Sequence, residues 1–158
     1  MGIFKAIFGE SKEDKTDRLR TEFAEHLKST LSVPFETENN EDGLLICIQE
    51  DLMLSVTFAP YDDDEESAWR VVIVCPLVFL PTKNLLPFYR KVLDTNGEID
   101  GGYMATEDNC VKLITTLPVD FLTEEAMTFH LAEFVSSAFG AREALAEEFG
   151  VQRWEPEE

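Results

Sequence analysis

A strict alternation of side chains over residues 52–59 most constrains how this chain folds. Four large apolar residues fall on one side of an extended strand: Leu52, Leu54, Val56 and Phe58. Smaller or more polar residues fall on the other side: Met53, Ser55 and Thr57. A period of two is typical of a strand whose sheet is buried on one face only. The segment therefore predicts a sheet that is covered on one side and more open on the other.

Other segments with strand character surround this one. Residues 44–49 (LLICIQ) precede it across a tight turn at Glu50-Asp51, and residues 69–79 (WRVVIVCPLVF) follow a charged loop. Pro76 lacks an N–H group and should end or bulge the pairing of the strand that contains it. Residues 101–106 and 110–117 flank a further turn and predict a second hairpin. We expect residues 36–43 to form a loop.

Three helices accompany these five strands. The first spans about 16–32 and is capped by Thr16 or Asp17, because apolar residues recur there every four positions: Leu19, Phe23, Leu27 and Leu31. The second spans about 84–95 after Asn84, and the third starts at Thr123 and breaks at Gly140 before a short helix at 141–149. The predicted fold class is α+β, ordered helix, three strands, helix, two strands, helix. Short connections make the sheet mainly antiparallel, with helices covering it.

The chain divides into three predicted regions. Residues 1–15 form an apolar N-terminal segment and a polar linker, residues 16–149 form a single domain, and residues 150–158 form an acidic, mobile tail that contains Trp154. Within the first region, four apolar residues have helical spacing and could dock on the domain or on a partner: Ile3, Phe4, Ile7 and Phe8. This stretch is too short to span a membrane.

Charge narrows the range of partners. The chain has 13 basic and 32 acidic residues, a formal net charge of −19. Such a charge repels nucleic-acid phosphates and anionic lipid surfaces. It serves solubility, or it attracts a basic protein partner. The three cysteines, Cys47, Cys75 and Cys110, lie in apolar runs and predict buried free thiols in a reducing compartment, so we expect a cytoplasmic protein.

No catalytic signature accompanies these elements. The sequence has no nucleophile elbow, no phosphate-binding glycine loop and no zinc-ligand spacing. We interpret the two histidines, His26 and His130, as structural. The acidic run at 62–66 lacks the ordered spacing of a calcium loop and is expected to be solvated. We therefore predict no enzyme activity, no catalytic or metal-binding residue and no cofactor. A ligand-responsive or metal-responsive sensor, or an enzyme with a site hidden in the sequence, remains the alternative.

The element order, size and acidity together resemble the type III secretion chaperone-like fold, which includes CesT-type secretion chaperones and YbjN-type proteins. Residues 84–139 carry most of the resemblance, with a helix, the Asn96-Gly97 turn, a hairpin and a closing helix. The resemblance implies a bacterial, non-enzymatic protein-binding module, chaperone-like or regulatory. It further implies a homodimer that captures a protein or peptide segment on apolar patches of the sheet and of the first helix.

On that basis we predict six residues to contact the partner. They are apolar residues of the first helix and of nearby strands: Leu19, Phe23, Leu27, Phe35, Met53 and Trp69.

Overall fold

The alternating segments form one antiparallel sheet of six strands in the computed structural model, which describes residues 11–41, 43–49, 51–62, 68–121 and 123–155. The strands are β1 (Phe35–Asn39), β2 (Leu44–Ile48), β3 (Leu52–Pro60), β4 (Trp69–Phe79), β5 (Tyr103–Glu107) and β6 (Cys110–Pro118). Their order across the sheet is β1-β2-β3-β4-β6-β5. The helices are α1 (Lys12–Thr30), α2 (Leu85–Asn96) and α3 (Glu124–Phe149). The α+β fold class predicted from the sequence is confirmed.

The sheet has two unlike faces, as the alternation in residues 52–59 predicts. Along β2, β3 and β4 every second side chain is buried, and the side chains between them are half-buried. The buried set forms a single core cluster with apolar residues of all three helices, including Phe23 of α1, Phe88 of α2 and Leu131 of α3. We call this side the core face. All three helices therefore pack on one side of the sheet.

Local chemistry sets the ends of several elements. Ser11 caps α1 by accepting a hydrogen bond from the Asp14 N–H group, and Thr123 caps α3 in the same way. Asp108 and Asn109 both have positive φ angles, as the tight turn between β5 and β6 requires. The register of β4 against β6 shifts between Pro76 and Val78, which confirms the bulge expected from the proline.

The structure corrects the predicted strand count. Residues 35–39 form strand β1 at the edge of the sheet, where we expected a loop, so four strands rather than three precede α2. Most β1 side chains are exposed, and the strand therefore shows no apolar alternation in the sequence. Main-chain pairing with β2 holds it in place.

The helix boundaries and the C-terminal residues also differ from expectation. Helix α1 begins at Lys12 instead of about residue 16, and α3 continues unbroken through Gly140, where an added Cβ would meet nothing within 4 Å. A glycine at an exposed helical position costs only about 1 kcal/mol, which the buried apolar residues on both sides offset. Residues 152–154 are not a mobile tail, because Gln152 and Trp154 hydrogen-bond to the main chain of β4.

One buried arginine joins the sheet to α3. Arg142 is 2% exposed, and its guanidinium donates to the main-chain oxygen of Asp51 at 2.9 Å and to the Asp51 carboxylate. Asp51 lies in the turn between β2 and β3. The guanidinium also lies 5.2 Å from the centre of the Phe139 ring. This ion pair fixes the end of the β2–β3 hairpin against the C-terminal third of α3, the longest helix.

We predict that Asp51→Ala lowers the free energy of unfolding by about 2 kcal/mol, because it removes the carboxylate that hydrogen-bonds to the buried Arg142 guanidinium and leaves the longer carboxylate contact with Glu143, at 3.5 Å. Asp94→Ala is the matched control, since the Arg90–Asp94 pair is exposed and 3.9 Å long. The control should change stability by less than about 0.5 kcal/mol. Urea denaturation of both variants measures the difference, and equal stabilities would contradict the role given to Arg142.

Candidate protein-binding surfaces

The side of the sheet opposite the helices carries a continuous row of paired residues. Strand registers align one residue from each of the six strands in the order Glu38, Leu45, Ser55, Val74, Ile114 and Tyr103. Three members of this row are apolar and half-buried, and Tyr103 at its end is 52% exposed. We call this side the open face. Its main apolar residues are Leu45, Cys47, Met53, Val72, Val74 and Ile114.

None of these six residues belongs to the core cluster or packs against it. They lie on strands whose alternate residues are fully buried under the helices. A half-exposed apolar surface that extends over neighbouring strands is characteristic of a protein-interaction surface. Among the described residues, the open face is thus the part of the sheet left available for a partner.

The charged residues of the open face are distributed unevenly. Glu36 and Glu38 project from β1 beside Cys47 and Leu45, and both glutamates are exposed. On the other side of the apolar row, Lys112 donates to Glu107 Oε2 at 2.6 Å and lies 3.6 Å from Asp108. The hydrogen bond to Lys112 lowers the pKa of the exposed Glu107 carboxyl below its usual value. The β1 edge is therefore acidic, and the cation of Lys112 is balanced by its own carboxylate neighbours.

The three thiols differ in their positions. Cys75 is on the core face, where burial raises its pKa to about 12. Burial also raises the pKa of Cys110. Cys47 is half-buried on the open face, opposite Met53. All three thiols are free. Because Cys47 is the one on the open face, its reactivity can be used to detect whether that face is covered.

A second apolar surface lies on α2. Phe88 and Val92 are buried, and Phe88 packs edge-on against Phe149 with ring centres 5.1 Å apart. The other side of the helix carries Leu86, Tyr89 and Leu93, which are 82%, 37% and 69% exposed. These residues have i, i+3, i+7 spacing and form one line along the helix. We call them the α2 stripe.

A third feature is a cleft between α1 and the start of α3. It has a volume of about 230 Å³ and is lined by Leu19, Glu22, Phe23, His26, Phe58, Val119 and Met127. Phe23 packs edge-on against Phe58, with ring centres 5.8 Å apart. His26 Nε2 lies 3.4 Å from the hydroxyl of Thr128 across the two helices. We call this the α1–α3 cleft.

The six predicted partner-contact residues do not share one surface. Five lie on the core face or in the helix that covers it: Leu19, Phe23, Leu27, Phe35 and Trp69. Four of these are buried, and Phe35 is half-buried beside Ile48. Of the five, the structure brings Leu19 and Phe23 to the α1–α3 cleft. Met53 lies apart from them on the open face, and a role in binding stays a prediction for all six.

Most residues of the open face and of the α2 stripe have no pattern in the sequence that marks them as a binding surface. Val74 and Ile114 lie within apolar runs that do not reveal which face is covered. For α2 the sequence does indicate an exposed apolar surface. The segment LLPFYRKVL is apolar on more than one side of a helix, and only one side can face the core. The structure exposes Tyr89 and Leu93 on the side of α2 that faces away from the core.

Among the described residues, no three histidine, cysteine or acidic side chains are grouped to hold a metal ion. The acidic run is described only at Asp62, since residues 63–66 lie outside the described part, as do the apolar residues 3–8. No helix in the described ranges is both long and apolar enough to cross a bilayer.

Comparison with known proteins supports the fold. No protein-family model matches the sequence, and no curated protein matches it. A chain in the structure of the HopA1–SchA chaperone–effector complex is 15% identical, with a TM-score of 0.53 over 80% of this chain and 92% of that one. A chain in the crystal structure of the ExsC–ExsE complex is 16% identical, with a TM-score of 0.51 over 82% and 92%. The predicted type III secretion chaperone-like fold is thereby confirmed.

Proposed function

We propose that this chain is a non-enzymatic protein-binding module, chaperone-like or regulatory, that captures a segment of a partner protein on the open face. The observation that carries the proposal is the row Leu45, Ser55, Val74, Ile114, Tyr103, which crosses the sheet on the side opposite the three described helices. The similarity of the chain's fold to chains from a chaperone–effector complex and from a second two-protein complex also supports a protein-binding role. We also propose a cytoplasmic location, which suits three free thiols.

The chemistry of the open face defines the partner segment. Half-exposed Leu, Val, Ile and Met side chains favour an apolar segment, because covering them removes apolar area from water. The exposed Glu36 and Glu38 at the β1 edge favour lysine or arginine at one end of that segment. A net charge of −19 steers such a basic segment toward the chain and keeps the complex soluble.

We further propose that two copies pair through the α2 stripe. Four of the seven exposed large apolar residues identified among the described residues lie in this one short helix: Leu85, Leu86, Tyr89 and Leu93. A stripe of this kind on a helix that is already packed on its other side is suited to a symmetric contact with a second α2. This surface is separate from the open face, so both can be occupied together.

Leu86→Asp should convert the dimer to a monomer in light scattering at tens of micromolar protein. The first turn of α2 has no acidic residue, and an aspartate there interacts favourably with the helix dipole. Loss of the dimer would therefore reflect the lost contact, not a weakened helix.

Phe129→Asp is the matched control for Leu86→Asp. Phe129 is 58% exposed on α3, so this change introduces the same charge at another exposed apolar residue. It should leave the mass unchanged. A monomeric mass for the unaltered chain would contradict the proposed pairing.

Val74→Lys should weaken partner binding at least about tenfold, equivalent to about 1.4 kcal/mol, because it places a charge at the centre of the apolar row. The partner is first captured from native lysate at low and moderate salt and identified by mass spectrometry. Affinity is then measured with purified proteins by calorimetry.

Ser136→Lys is the control for Val74→Lys, since it makes the same charge change at an exposed position of α3. It should alter affinity less than threefold, about 0.6 kcal/mol. Thermal melts confirm that both variants fold. Equal affinity of Val74→Lys and the unaltered protein would exclude the open face as the binding surface.

A further inference from the structure

Strand β5 forms one edge of the sheet, because it is the last strand in the sheet order and pairs with β6 on one side. The outer side of an edge strand presents N–H and C=O groups that can pair with a strand of another molecule. Proteins that keep a defined assembly close or blunt such an edge. The outer side of β5 therefore decides whether copies of this chain can join through their sheets.

Main-chain groups along β5 point alternately toward β6 and outward, as in any antiparallel ladder. Met104 points outward, because its N–H and C=O groups bond to a side chain of α2. The alternation makes Thr106 point outward as well, and Tyr103, Ala105 and Glu107 face β6. Met104 and Thr106 are therefore the residues of β5 through which a further strand would pair.

The side chain of Asn96 occupies the outward groups of Met104. Its Oδ1 accepts a hydrogen bond from the Met104 N–H group at 2.5 Å, and its Nδ2 donates to the Met104 carbonyl oxygen at 3.0 Å. A carboxamide carries the same C=O and N–H groups as a peptide, so the two bonds reproduce those that a residue of a neighbouring strand makes. Asn96 is the last residue of α2, whose Phe88 and Val92 are buried in the core, so a packed helix holds the amide at the edge.

Without Asn96, the β5 edge would be complementary to itself. If β5 met β5 of a second copy antiparallel, with the two-fold axis at Ala105, Met104 of each copy would lie opposite Thr106 of the other. Both outward residues would then exchange main-chain hydrogen bonds with their counterparts. Glu107, the one charged residue of β5, would lie opposite Tyr103 of the second copy, so no like charges would meet.

We infer that the Asn96 side chain closes the β5 edge, and that without it two copies join through β5. With Asn96 in place, Thr106 is the outward residue left for pairing. One residue forms too few hydrogen bonds to hold a strand, because each contributes little net free energy in water. Pairing through β5 uses main-chain groups, whereas the proposed pairing through the α2 stripe uses side chains, so either can occur without the other.

Asn96→Ala should raise the mass in light scattering above that of the unaltered chain at tens of micromolar protein, because both outward residues of β5 become available. Adding Thr106→Pro should restore the original mass, since proline has no N–H group and is tolerated at an outward position of an edge strand. Thr95→Ala, one residue earlier in α2, is the matched control and should leave the mass unchanged. An unchanged mass for Asn96→Ala would overturn the inference, whatever the mass of the unaltered chain.

Amide hydrogen exchange, followed by NMR, tests the closure itself. It is measured in Asn96→Ala/Thr106→Pro and in Thr106→Pro alone, two variants that cannot pair through β5. Loss of Asn96 should speed exchange of the Met104 N–H at least about tenfold, because its acceptor is removed. The N–H groups of Ala105 and Glu107 should exchange slowly in both variants, since they face β6 in the folded chain. Equal exchange at Met104 in the two variants would show that Asn96 does not close the edge.

Discussion

The structure depends on a mismatch between one sheet and the number of helices available to cover it. Six strands about 4.8 Å apart make a sheet nearly 30 Å wide, and three helices of about 10 Å diameter are just enough to cover one face of that width. All three helices that the described ranges contain pack on the core face. The other face is left with alternate residues of the same strands, which are half-buried and largely apolar.

Two sets of contacts hold α3 on the core face of the sheet. Arg142 ties the turn between β2 and β3 to α3 through Asp51, at a position where almost no solvent reaches the guanidinium. Residues after α3 return to the sheet, where the isolated bridge between Val78 and Arg153 pairs them with β4 beyond the bulge. Helix α3 is therefore held at Arg142, in its C-terminal third, and by the residues that follow it, which fixes the core face and, by exclusion, the open face.

Much of this architecture could be predicted from the sequence because it rests on local periodicity. The period of two in residues 52–59 indicated both faces of the sheet, and Pro76 indicated the bulge. Strand β1 escaped prediction because an exposed edge strand has no apolar alternation and is held by main-chain pairing. The sequence also does not indicate that Val74 and Ile114 lie on the open face, since their exposure depends on where helices distant in the sequence pack. The side of α2 that faces the core also depends on a contact with Phe149, far along the chain.

The central claim is that a partner segment lies on the open face, and Cys47 reports on it most directly. In the purified complex, the rate of Cys47 alkylation by iodoacetamide is compared with the rate in the free protein, and modification is read peptide by peptide in a mass spectrometer. Cys75 serves as the internal reference, because burial and a pKa near 12 keep it unreactive in both states. The account predicts that the partner slows alkylation of Cys47 at least about tenfold while Cys75 stays unmodified. An unchanged Cys47 rate in a stoichiometric complex would show that the partner binds elsewhere.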